Sequence, residues 1–217
     1  MTAALVDMGE EEAADLAFIA EFLASLLLTP PDRDSLQSLR SMQGQVSLGR
    51  IGGYLGEETA VDAIRQILTA GPVEEVAVSL ERRHTALFEG IFRQRSLPPY
   101  ASAWDGTGRL CGPAVGRMQQ ILRDLDVHLE GSSEMADHLG VELAALAEAL
   151  RRGRPDIAAR LLDELDWCAR FAAALIKADD AGFYGALARL VLAFKTLMTA
   201  EEAAAQPLHD PAATARI

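Results

Sequence analysis

Apolar residues along this chain recur at steps of three and four, the spacing that lines one face of a helix. Leu16, Ile19, Leu23, Leu26 and Leu27 form the first such stripe. It predicts a helix over Glu10–Leu28, with Glu10, Glu11 and Glu12 in the first turn, where they complement the helix dipole, and Thr29-Pro30-Pro31 as its stop. A short helix over Asp34–Met42 follows. Glycines at 44, 49, 52, 53 and 56 then read as a flexible connector. They lack the GxGxxG order and the lysine of a phosphate loop, and no strand precedes them, so no nucleotide site is predicted.

Further stripes predict helices over Glu57–Ala70, Pro72–Phe88 and Pro113–Leu125. His84 keeps step with Leu80 and Leu87, as a buried core histidine would. Residues 89–112 break the pattern with Leu97-Pro98-Pro99-Tyr100, Ser102, Trp104 and several glycines. A loop that keeps large apolar residues is either packed down or binding something. Helix resumes with Ser132 or Ser133 as cap and runs to Arg152, on the stripe Met135, Leu139, Leu143, Leu146 and Leu150. Gly153 and Pro155 separate it from Asp156–Lys177, one bent helix or two, and Asp180–Met198 is the last. Beyond Ala200 periodicity fades. The expectation is one all-α domain over 1–200, a bundle of about eight or nine helices given a mean helix of about 11–12 residues, with a disordered tail over 201–217.

Composition agrees. Half the residues are hydrophobic but only 6% are aromatic, and alanine and leucine lose little on entering a helix. The formal net charge of −12 disfavours nucleic acid and anionic lipid and favours a basic partner. Cys111 and Cys168 stand far apart in apolar helical context and read as buried free thiols. The acidic start is unlike a secretory signal, and the apolar run Leu16–Leu28 is interrupted by Glu21 and too short to span a bilayer. These features point to a cytoplasmic protein without stable membrane insertion.

The densest set of chemically capable side chains is Glu134, Asp137, His138 and Glu142. On one helix, Glu134, His138 and Glu142 would share a face and could hold a metal or move a proton. A metal-dependent hydrolase is one reading, although no second such motif, nucleophile or GxSxG accompanies it. A plain helical adaptor is another. A solvated helix face would explain the spacing equally well.

Two stretches carry a resemblance. Residues 84–104 contain His-Thr-Ala-Leu-Phe-Glu-Gly and Leu-Pro-Pro-Tyr-Ala-Ser-Ala-Trp, and residues 134–143 read Glu-Met-Ala-Asp-His-Leu-Gly-Val-Glu-Leu. In this order, in an acidic helical chain, they resemble the TorD/DmsD/NarJ family of redox-enzyme maturation chaperones. Asp166-Trp167, Phe171 and Phe183-Tyr184 are similar to that family's last helices, and Met135 departs from the proline usual after the motif's glutamate. The resemblance implies a TorD-like fold and a cytoplasmic chaperone rather than an enzyme, with no cofactor or metal of its own. Its partners would be an apo molybdoenzyme catalytic subunit and that enzyme's twin-arginine signal peptide, which it would guard until the molybdenum cofactor is inserted. The chain itself would be a monomer or a homodimer. Carried over, Asp137 and His138 would lie at the client surface with Glu134 beside them, and Tyr100, Ser102 and Trp104 would line or support the same groove. Asp137 would be the anion for arginine and His138 an orienting or pH-sensitive group.

Overall fold

A computed structural model describes residues 8–90, 96–105, 110–128 and 134–204. The first stripe forms α1 (Glu10–Leu28), with the predicted bounds. Asp32 then accepts the Ser35 N–H at 2.9 Å and caps α2 (Arg33–Arg40). Ser41 accepts the Gly44 N–H at 3.0 Å and opens α3 (Met42–Leu55). The predicted glycine-rich connector is therefore a helix. Its glycines mark close approach: a β-carbon at Gly44 would meet the Ser38 and Leu39 carbonyl oxygens at 2.2 and 2.7 Å, and one at Gly52 would meet Val61 at 2.9 Å. Buried Leu48 and Ile51 supply the helix with an apolar face. Gly56, at φ 66°, ends it in the left-handed conformation that glycine enters without strain.

The chain continues through α4 (Glu58–Leu68) and α5 (Val73–His84), which unwinds into a π turn over Thr85–Glu89. A four-residue α6 (Ala101–Trp104) interrupts the Pro-aromatic loop, and α7 (Pro113–Asp124) follows with Pro113 in its first turn. Next come α8 (Leu139–Arg151), α9 (Pro155–Glu164), a 3₁₀ turn over Leu165–Trp167, α10 (Cys168–Ala178) and α11 (Phe183–Ala204). The stretch Asp156–Lys177 is thus two helices with a tight joint. The proposed caps Ser132 and Ser133, and residues 205–217 of the expected tail, lie outside the described residues. No strand occurs among the described residues beyond one isolated bridge.

Helices α1 and α8 form the most extensive pair, and α11 packs on α10, α4, α1 and α3. Gly140 sits where these two central helices meet: a β-carbon there would lie 3.0 Å from the Ala24 carbonyl oxygen. Residues 183–200 of α11 are long and apolar enough to cross a bilayer by composition. They serve as core, with Phe183, Tyr184, Leu187, Leu190, Val191, Phe194 and Met198 buried. Arg83 ties α5 to the start of this helix through Asp179 at 2.7 Å, and the same carboxylate accepts the backbone N–H groups of Tyr184 and Gly185.

Cys168 is buried as expected, and burial pushes its thiol up to about 12. Cys111 is not. It is exposed at φ 63°, just ahead of α7, with its thiol 3.3 Å from the Met135 sulfur. The apolar stripe that suggested burial begins only after Gly112-Pro113.

Candidate functional site

The Pro-aromatic loop and the Asp-His-Leu segment meet at an isolated antiparallel bridge. Ala101 N–H donates to the Asp137 carbonyl at 2.9 Å, and Leu139 N–H donates to the Pro99 carbonyl at 2.8 Å. Tyr100 and His138 face each other across this bridge, their rings edge to face with centroids 5.0 Å apart. The pairing also sets the start of α8. The Asp137 carbonyl is engaged by Ala101, and the first helical residue is Leu139 rather than one near Ser133. His138 occupies the N-cap position, its Nδ1 accepting the Gly140 N–H at 3.0 Å.

This corrects the expectation that Glu134, His138 and Glu142 share a helical face. Glu134 and His138 precede α8, and Glu142 points from its first turn into the core. The three groups face different surroundings, which removes the geometric basis for a metal-dependent hydrolase at this position.

Asp137 is fully buried, against the expectation of a client-facing anion. Its Oδ2 accepts the Ser102 N–H at 3.0 Å and so caps the short α6 from a distant part of the chain. Buried Ser102 lies beside it. Trp104 is half-buried. Its Nε1 donates to the Pro98 carbonyl at 2.8 Å and its ring meets Phe171 edge to face. These three residues brace the loop from behind. Deeper still, Trp167 Nε1 donates to Glu142 Oε2 at 3.0 Å. Asp137 Oδ1, Ser102 Oγ and Glu142 Oε1 have no hydrogen-bond partner among the described residues. Burial pushes the Glu142 carboxyl well above the usual carboxylate range, against the opposing Trp167 hydrogen bond.

The other three expected residues line a cleft of about 800 Å³ in front of the bridge. Tyr100 and His138 form one wall. Pro30, at the end of α1, and Phe88, in the π turn, form the other, while Glu89 and half-buried Glu134 stand on the rim. The Tyr100 hydroxyl donates to Glu134 Oε2. Burial, then that hydrogen bond, raises the phenol well above its ordinary value. Burial lowers His138 to about 4, so the ring is neutral near pH 7; with Nδ1 accepting, Nε2 carries its proton. His84 also lines the cleft, nearly buried beneath it and edge-on to Phe88 and Tyr184, and burial lowers its pKa as well.

Chemically, the cleft offers two carboxyl groups, aromatic and proline surface, and neutral imidazoles. That suits a cationic, partly apolar ligand better than bond-making chemistry. Sequence reasoning missed Glu89 and Pro30 as lining residues. Glu89 is the glutamate of the Leu-Phe-Glu-Gly stretch itself, which was a usable signal. Pro30 gave none beyond helix termination.

Comparisons with known proteins bear on family and fold. The model of the nitrate reductase delta subunit family matches residues 54–184. The chaperone protein TorD of Aeromonas salmonicida is 32% identical over 168 residues, covering 68% of this chain and 75% of the relative. TorD of Shewanella loihica is 27% identical over 185 residues, covering 80% and 86%. Among solved structures, a redox enzyme maturation protein from Archaeoglobus fulgidus shares the fold, with a TM-score of 0.50, 23% identity, and coverage of 85% of this chain and 93% of that one.

Proposed function

The chain belongs to the nitrate reductase delta subunit family, which takes in the TorD and NarJ chaperones, and from that membership we propose that it is a non-enzymatic maturation chaperone for a molybdenum-cofactor oxidoreductase. Its client is the apo catalytic subunit, engaged through the twin-arginine leader. It covers the leader until the cofactor is inserted and so delays export. This work belongs in the cytoplasm, before the export machinery.

The observation that carries this reading is the cleft in front of the Tyr100–His138 bridge, acidic at its rim and apolar at its walls. A guanidinium pairs with carboxylates through charge-assisted, often bidentate hydrogen bonds, and its flat face stacks on aromatic rings. Glu134 and Glu89 are the anions for the paired arginines, in place of buried Asp137. Tyr100 and His138 form the surface against which the peptide lies. Asp137, Ser102 and Trp104 hold that surface in place. The acidic net charge of −12 speeds encounter with a basic leader and makes binding sensitive to salt.

The test is a calorimetric titration of the full chain with a twin-arginine leader peptide at two salt concentrations, repeated with Glu134→Gln. Loss of one charged hydrogen bond, worth about 1.5–3 kcal/mol, weakens binding by roughly 10- to 100-fold. Added salt weakens the wild type further. Affinity indifferent to both salt and the substitution would remove the cleft from the mechanism. Binding to the apo-enzyme body without binding to the leader would keep the chaperone and relocate its contact.

A further inference from the structure

A second hollow, of about 640 Å³, lies between the last turns of α1 and helix α2. Thr29 and Pro30 belong to its wall and to the wall of the Tyr100 cleft, so the two meet over the α1–α2 turn. Their chemistry differs. The Tyr100 cleft has Glu89 and Glu134 at its rim. The second hollow has an apolar floor of Phe22, Leu26, Pro31 and Leu39, under a margin of serines and the two aspartates Asp32 and Asp34.

Charge distinguishes this pair of hollows from two others on the described surface. Among the described residues, no lysine or arginine lines either one. Two other surface hollows each contain arginine: Arg50 in one, and Arg151, Arg152 and Arg154 in the other. Acidic margins beside apolar walls, in two hollows that meet at Thr29 and Pro30, fit a segment that is cationic in one part and apolar in the next. They disfavour an anionic segment at both ends of the path.

We infer that the second hollow seats the apolar stretch that follows the paired arginines of the leader. This rests on the function proposed above and adds a register to it. The arginines sit at Glu134 and Glu89, the chain crosses Pro30, and the apolar side chains descend onto Phe22 and Leu39. An extended chain advances about 3.3 Å per residue, so successive side chains pass quickly from one hollow to the next. Pro30 and Pro31 give the crossing a stiff surface, because each ring fixes φ near −65°.

Two leaders test the inference: a complete one, and one that ends directly after the arginines. Each is titrated into the full chain, into Ser38→Trp and into Glu134→Gln. Ser38 is exposed on α2 at the edge of the hollow, so an indole there fills the hollow without entering the core. The wild type binds the complete leader about tenfold or more tighter than the short one, as burial of large apolar side chains requires. Ser38→Trp removes that difference and leaves the short leader unaffected. A photoreactive phenylalanine in the apolar stretch labels the segment 22–39, which locates the contact without any substitution in the protein. If Ser38→Trp leaves both leaders unchanged, or weakens both equally, and the label falls elsewhere, the inference fails. If Glu134→Gln weakens binding in that same experiment, the proposed function survives it. If neither leader binds the wild type, both readings fall together.

Discussion

The Asp137 carboxylate accepts the Ser102 backbone N–H at 3.0 Å, and neither residue reaches the surface. A short helix that cannot cap itself is thus capped by a residue from a distant segment. The Tyr100 end of the loop is thereby tied to the segment that opens α8. Asp137→Ala orphans a buried donor and is expected to cost about 1–3 kcal/mol of stability. Asp137→Asn keeps an acceptor and costs less. Leader binding weakens in Asp137→Ala because Tyr100 loses its support. Urea unfolding measured beside the leader titration checks this. An Asp137→Ala protein as stable as the wild type that nonetheless fails to bind would return Asp137 to direct contact with the client.

Much of the bundle was legible in the sequence because burial leaves a period. The stripe from Leu16 to Leu27 gave α1 to the residue, and Gly112-Pro113 marked the start of α7. What the period does not encode is where a glycine is needed by a neighbour. Gly44 and Gly52 read as freedom along the chain and are in fact demanded by the carbonyls of α2 and by Val61 across the gap. Similarly, a helical spacing of Glu134, His138 and Glu142 is compatible with one face until Pro99 and Ala101 engage the backbone of Leu139 and Asp137. That pairing is made between segments more than thirty residues apart, and no local propensity announces it. Family resemblance picked out residues that the fold places close together, but it did not distinguish those that face the cleft from those behind it.

His138 links the cleft wall to helix geometry, since its Nδ1 caps α8 while its ring faces Tyr100. Burial holds its pKa at about 4, below the roughly 6.5 of an unfolded histidine. Between these values the unfolded chain takes up a proton that the folded one refuses, so stability falls as pH drops from about 6.5 toward 4. Glu134 and Asp137 favour the charged ring, but His84 and burial oppose it. His138→Asn preserves a capping acceptor and removes the titration. Its unfolding free energy should decline less over that interval than that of the wild type. Equal slopes in denaturant titrations from pH 7 to 4 would show that the ring is not held neutral.

Gly140 stands in the first turn of α8, where α1 comes closest. A β-carbon there would lie 2.6 Å from the Leu28 side chain and 3.0 Å from the Ala24 carbonyl oxygen. Leu28 can turn aside, but the carbonyl belongs to the α1 backbone and cannot. Gly140→Ala is expected to cost about 1–3 kcal/mol, the usual range for overpacking, despite alanine's better helix propensity. Because Leu28 also lines the cleft, leader affinity should fall with stability. A stabilised Gly140→Ala protein, seen as a higher unfolding midpoint, would mean that the two helices separate easily.

Glu142 produces the opposite pH dependence. It is fully buried, accepts the Trp167 N–H, and lies near Asp137, Glu164 and Arg117. Desolvation raises its carboxyl well above the usual value, with the nearby acids adding to the shift and Trp167 and Arg117 opposing it. The folded protein keeps a proton that the unfolded chain releases near pH 4.3, an approximate reference value for glutamate. Stability therefore falls as pH rises from that point toward the elevated folded value. Glu142→Gln is neutral at every pH and retains an oxygen for the indole. It should match the wild type closely at low pH and exceed it progressively toward neutral and alkaline pH, flattening that limb of the profile. Urea unfolding of both proteins from pH 4 to 9 makes the comparison. Parallel curves would mean that Glu142 is ionised in the fold.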